Sequence, residues 1–156
     1  MRLLIKQRVF SWSDTYDVYD ELENVRYFVK GEVFSLGHCL HVYNAYQMEV
    51  GRIREKLLTF LPAFEIETDG VVRGRIRKKF SFFHPEYEVE FNGWQAEGDF
   101  LGWNYEVMSG FGPVVHITKE WLHWGDTYVL DFLRPEDELE GLLLALAIDA
   151  ANCSEH

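Results

Sequence analysis

Residues 139–151 read Leu-Glu-Gly-Leu-Leu-Leu-Ala-Leu-Ala-Ile-Asp-Ala-Ala, and few architectures can house such a segment. Arg134-Pro135-Glu136-Asp137-Glu138 precedes it with the marks of a helix start. Proline fits the first turn, and acidic side chains there complement the positive end of the helix dipole. Wound as an α-helix, residues 142–151 leave no polar stripe, and Asp149 is their only charge. A helix that is apolar on every side has to be buried on every side. From 136 to 152 it would be about 25 Å long at 1.5 Å per residue. A membrane span needs roughly 20 apolar residues, and this segment is shorter and holds Glu140 and Asp149. Its surroundings therefore have to come from the same chain.

The rest of the sequence offers a wall. Between residues 3 and 133 short apolar and polar alternations recur, as in Tyr87, Val89 and Phe91 against Glu86, Glu88 and Glu90. Period-two alternation is the signature of half-buried strands. Asp69-Gly70 and Asn92-Gly93 punctuate the pattern as hairpin turns, because these residues tolerate positive φ. With 16% aromatic and 47% hydrophobic residues, disorder is excluded. About twelve strands follow one another with no crossover helix between them, so the sheet is antiparallel. An eight-stranded barrel is filled by its own side chains, whereas about twelve strands leave room for a helix about 10 Å across. The expected fold is mainly β. It is a closed antiparallel barrel of about twelve strands (residues about 3–133) enclosing a hydrophobic C-terminal helix (about 136–152), all in one domain spanning 1–156. The small residues Gly141, Ala145, Ala147, Ala150 and Ala151 would let the wall come close.

Charge narrows the partners. The net charge of −11 repels nucleic acid and anionic membrane as a whole, so no nucleic-acid partner is expected. Residues 50–80 are the exception, with eight basic and four acidic side chains. The two cysteines, Cys39 and Cys153, sit in no metal or redox spacing and read as reduced thiols of a cytoplasmic protein. The opening MRLLIKQRVF does not read as a signal peptide, and no transmembrane span is expected.

The candidate chemistry is sparse. Arg73, Arg75, Arg77 and Lys79 alternate along one predicted strand, and Arg52, Arg54 and Lys56 along another two strands earlier. Arginine binds phosphate in bidentate fashion, so these seven residues are the candidate anion or lipid face. A charge ladder is the stronger reading. Glu65 and Glu67 lie on the strand between them and Glu86, Glu88 and Glu90 on the strand after, so the outward faces read basic, acidic, basic, acidic. Asp149 is the candidate buried polar anchor. It would accept hydrogen bonds from the barrel wall, and its alternative role is that of a catalytic or ligand-contacting acid. His116 and His123 could meet across strands, although no metal-binding spacing links the histidines. Trp94, Trp103, Trp121 and Trp124 fit packing better than a binding rim. With no nucleophile elbow, phosphate loop or dinucleotide motif, no catalytic residue, metal or cofactor is assigned.

Several stretches, taken together, resemble the LURP-one-related/YxjI family: Lys56-Leu57-Leu58, Phe64-Glu65-Ile66, Lys78-Lys79-Phe80-Ser81-Phe82-Phe83, Asn92-Gly93-Trp94, Gly98-Asp99-Phe100, Trp121 to Leu130, Pro135-Glu136-Asp137 and Ala147-Ile148-Asp149. The match covers nearly the whole chain in order. That family is similar in fold to the tubby C-terminal domain and to phospholipid scramblases. The resemblance implies a twelve-stranded barrel around a hydrophobic C-terminal helix, and it transfers no enzymatic activity. The phosphoinositide-binding basic residues of tubby domains find no alignment here. Asp126, Asp131, Glu136 and Asp137 lack the spacing of the scramblase calcium segment. The expected function is a non-catalytic binding or scaffold module for a phospholipid headgroup or a protein partner. The alternative is a small-ligand carrier or enzyme with a site near Asp149.

Overall fold

The computed structural model describes residues 1–6, 15–34, 37–122 and 125–153, without the side chains of 33, 34, 125, 126 and 153. The alternating segments form β1 (Arg2–Ile5), β2 (Thr15–Asp20), β3 (Val25–Phe34), β4 (Gly37–Asn44), β5 (Glu49–Glu55) and β6 (Ala63–Thr68). They continue as β7 (Val71–Lys79), β8 (Glu86–Glu90), β9 (Gln95–Asp99), β10 (Asn104–Ser109), β11 (Gly112–Leu122) and β12 (Gly125–Phe132). A 3-10 turn, Pro135–Asp137, leads into α1 (Glu138–Cys153). The helix thus starts within the proline-acid segment that the sequence marks.

All pairings are antiparallel, and β1 joins β12, which bends the sheet round on itself. The sheet runs from β8 through β1 and β12 to β9. The barrel is therefore nearly closed, not closed as expected: β8 and β9, consecutive in the chain, are its two edges. Acidic side chains line both sides of the seam. The turn between them forms as the sequence predicts, with Asn92 at φ 57° and Gly93 at φ 69°. The Trp94 N–H donates to the Phe91 carbonyl at 2.9 Å. Had the hairpin zipped up from that turn, Glu88 would face Glu97 and Glu86 would face Asp99. Like charges directly opposite one another weaken a strand pair, whereas on the other side of β8 Glu86, Glu88 and Glu90 meet Lys79, Arg77 and Arg75 of β7 in register.

From Leu142 to Ala151 every side chain except Asp149 is buried, at 0–1% exposure. Two glycines let helix and strands approach. A Cβ on Gly51 in β5 would lie 2.8 Å from Leu143 Cδ2, and one on Gly141 would lie 2.4 Å from Phe132 Cε1. The first turn of α1 is tied to β3 by Arg26, whose Nε and Nη2 donate to the Glu138 carboxylate at 3.0 and 2.8 Å. The last turn is tied to the β9–β10 loop, where Asn152 Nδ2 donates to the Phe100 carbonyl at 3.1 Å. In a meander alternate loops emerge at one end, so the β5–β6, β7–β8 and β9–β10 loops share an end with the C-terminus of α1.

Leu144 has no exposed surface. Leu144→Ala should lower the unfolding free energy by about 2–5 kcal/mol in urea titrations, and Leu144→Asp should prevent folding by burying an unpaired charge. Leu58→Ala, at a fully exposed position, should stay within about 0.5 kcal/mol of the parent. Equal effects at 144 and 58 would contradict the packing described.

Candidate functional site

The basic residues of β5 and β7 face the acids of β6 and β8. Arg52 donates to Glu49, and Arg54 Nε to Glu67 at 3.0 Å. Arg75 lies 3.5 Å from Glu90. Arg77 Nη2 reaches Glu90 at 2.7 Å and Glu88 at 3.3 Å. Glu49 is drawn below the usual carboxylate range by Arg52 and His41, against the opposing pull of burial. The sequence places Arg73 in line with Arg75, but the register shifts between Ile66 and Glu67, and Arg73 has no cross-strand partner there. Its Nε donates to Thr68 Oγ1 at 2.8 Å instead. Of the seven candidate cations, Lys56, Arg73 and Lys79 carry no ion pair among the described residues, and Lys56 and Lys79 stand where their strands leave the barrel.

Asp149 lies on the last turns of α1 and keeps part of its surface exposed. Burial pushes its carboxyl up to about 7, opposed by a hydrogen bond from Trp103. Beside it Tyr105 is fully enclosed, and its hydroxyl has no hydrogen-bond partner among the described residues. Burial, with the charge of Asp149 next, raises that phenol well above its usual range. One turn on, Asn152 accepts from the Tyr87 hydroxyl and donates to Phe100. The polar end of the helix thus meets the inner side of the β8–β9 seam.

The seam holds a cleft of about 470 Å³. Tyr87, Val89, Ala96 and Phe100 make its apolar floor, and Glu86, Glu88 and Glu97 its rim, with Lys79 and His84 near the β7–β8 loop. Asp149 does not line it.

A further feature lies at the same end and was not among the sequence candidates. Leu57, Leu58 and Phe60 on the β5–β6 loop and Phe80, Phe82 and Phe83 on the β7–β8 loop are all exposed, Leu58, Phe60 and Phe83 almost completely. The Lys56 N–H donates to the Ala63 carbonyl and closes the β5–β6 loop, and the Lys78 N–H, at the end of β7, donates to the Pro62 carbonyl of that loop, each at 2.9 Å. The Phe80 and Phe82 rings meet edge-on at 4.9 Å. The signal was present in the sequence, since Leu57-Leu58-Thr59-Phe60 and Phe80-Ser81-Phe82-Phe83 are apolar where connecting loops are polar. Alternation arguments pass over such runs because they belong to no strand.

The other candidates are placed as follows. His41 sits between Glu32 and Glu49 at 2.6 and 3.1 Å, and His116 contacts Asn104 at 3.2 Å. His123 and Trp124 lie outside the described residues. Trp94 and Trp103 are buried, whereas Trp121 is exposed. Cys39 is buried as a free thiol. Asp131 pairs with Arg2 at 3.5 Å and Asp137 with Arg134 at 3.1 Å. Among the described residues no group of three or more His, Cys, Asp or Glu side chains is arranged to hold a metal ion.

Asp149 sets a pH dependence. Its folded carboxyl binds a proton up to about pH 7, whereas an unfolded Asp releases it near pH 4. Over that interval the native state holds more protons, so stability falls as pH rises and the loss is complete above about 7. Asp149→Asn should remove the slope. In urea titrations it should stabilise the protein by about 2–4 kcal/mol at pH 8 relative to pH 4, and parallel curves for the two proteins would refute the assignment.

The LURP-one-related family model matches residues 1–149. The chain is 30% identical over 149 residues to an uncharacterized protein, YxjI, of Bacillus subtilis (strain 168), covering 96% of this chain and 92% of that one. The X-ray structure of a protein from Arabidopsis thaliana aligns with a TM-score of 0.65 at 12% identity, over 97% of this chain and 90% of the other. That likeness is one of fold, a nearly closed barrel of twelve antiparallel strands with one C-terminal helix. With the family match spanning almost its full length, the chain belongs to the LURP-one-related family.

Proposed function

We propose that this protein is a non-catalytic binding module that docks on phospholipid surfaces through the tip of its barrel. In this reading α1 is the enclosed plug of the barrel, so no lumen remains for a substrate and recognition falls to the outside. The observation that carries the proposal is the pair of apolar loops. Leu57, Leu58, Phe60, Phe80, Phe82 and Phe83 project from one end, beside Lys56 and Lys79, two cations of the candidate face that carry no ion pair among the described residues.

The physical chemistry suits a membrane interface. Exposed apolar side chains on adjacent loops are costly in water, and each gains about 1.5–3 kcal/mol when fully buried in an apolar medium. Lysines at the headgroup level add about 1 kcal/mol each on an anionic surface. The barrel wall contributes little, because Arg52, Arg54, Arg75 and Arg77 are already held by glutamates. The net charge of −11 opposes approach to anionic lipid, which favours attachment at the tip over attachment along the wall.

Vesicle co-sedimentation tests the proposal. The protein should pellet with phosphatidylcholine vesicles containing anionic lipid, and less so at high salt as the lysine contribution is screened. Leu58→Asp with Phe83→Asp should abolish pelleting without lowering the melting temperature, since both side chains are exposed. Lys56→Glu with Lys79→Glu should cost at least about tenfold in affinity for anionic vesicles. Absence of pelleting with every vesicle composition at low salt would overturn the proposal.

A further inference from the structure

We propose that the seam between β8 and β9 is a strand-addition site for an extended cationic segment of a partner protein. The argument starts from the backbone. β8 pairs on one side with β7, and β9 on one side with β10. Each therefore turns a row of amide and carbonyl groups toward the seam without a strand to meet them. Exposed sheet edges recruit extended peptides, the main chain supplying affinity and alternate side chains supplying selectivity. Here two edges of five residues each flank one cleft of about 470 Å³. They run antiparallel to one another, so an added strand is antiparallel to one edge and parallel to the other; the turn at Asn92-Gly93 draws the edges together, and a two-sided ladder is confined to the open end of the cleft.

The side chains select the occupant. Glu86 and Glu88 on one edge and Glu97 on the other rim the cleft. Arg77 holds Glu88 from the outer side but is shared with Glu90. Glu97 has Glu106 as its cross-strand neighbour on β10, so that side lacks a cation. The repulsion that keeps β8 and β9 apart would become attraction toward a strand carrying Lys or Arg at alternate positions, placed between the two carboxylate rows. Its other side chains would face the floor of Tyr87, Val89, Ala96 and Phe100. A second copy of this chain is a poor occupant, because its exposed edges bear the same acids. The site has Lys79 in common with the tip but none of its six apolar side chains, and it does not rest on membrane docking.

Fluorescence polarisation on the full chain, with a labelled peptide alternating lysine and valine as the probe, tests the inference. The probe should bind, a glutamate-valine peptide should not, and amides of residues 86–90 and 95–99 should gain protection from hydrogen exchange. Glu88→Lys with Glu97→Lys should weaken binding by at least about tenfold, roughly 1.4 kcal/mol. Glu88→Gln with Glu97→Gln, which adds no like charge opposite Arg77, should weaken it in the same direction. Both positions are exposed, and Leu58→Asp with Phe83→Asp should leave peptide binding intact, which separates this site from the tip. Methylating alternate backbone nitrogens of the probe should abolish binding. Equal affinity for the methylated probe, protection elsewhere on the barrel, or no binding at low salt would overturn the proposal.

Discussion

An apolar helix that must be hidden from water organises this molecule. The side chains of α1 from Leu142 to Ala151, Asp149 apart, have essentially no contact with solvent. Removing that surface from water supplies a large share of the driving force for folding, at about 25 cal/mol per Å². The strands answer with inward Val, Ile, Leu and aromatic residues at every second position, and with glycine where the backbones come closest, at Gly51 against Leu143 and Gly141 against Phe132. The twelve strands bend until β1 meets β12.

Charge decides what apolar burial leaves open. From β5 to β8 the outward rows alternate in sign, and arginines of β5 and β7 are spent on glutamates of the neighbouring strands. At β8 and β9 the rows carry the same sign, and the sheet stops there. A barrel that could have been sealed keeps one cleft, beside the helix terminus where Asp149, Tyr105 and Asn152 gather. The apolar loops lie at the same end, so the features not used in holding the fold together cluster in one region.

Much of the architecture was legible because it rests on repeating patterns. Period-two alternation located the strands, Asn92-Gly93 located a turn with both residues at positive φ, and the unbroken apolar run located the helix to within two residues at its start. The open seam was not legible, since a tight turn between alternating segments signals a paired hairpin. Only the implied register, Glu88 against Glu97 and Glu86 against Asp99, carries the conflict. The shift that takes Arg73 out of the ladder depends on backbone geometry that alternation does not encode. The apolar tip escaped for a different reason. Leu58, Phe60, Phe82 and Phe83 belong to loops, and their exposure follows only once the strands beneath them are placed.

Native-state hydrogen exchange across α1 tests most directly whether the helix is the enclosed plug on which this account depends. If the sheet surrounds it, the amides of residues 142–151 can reach water only when the barrel opens. They should then be among the slowest in the protein, and their exchange should track global unfolding as denaturant is added. Helix amides that exchange through a local opening, at low free energy and with the strands still protected, would contradict it.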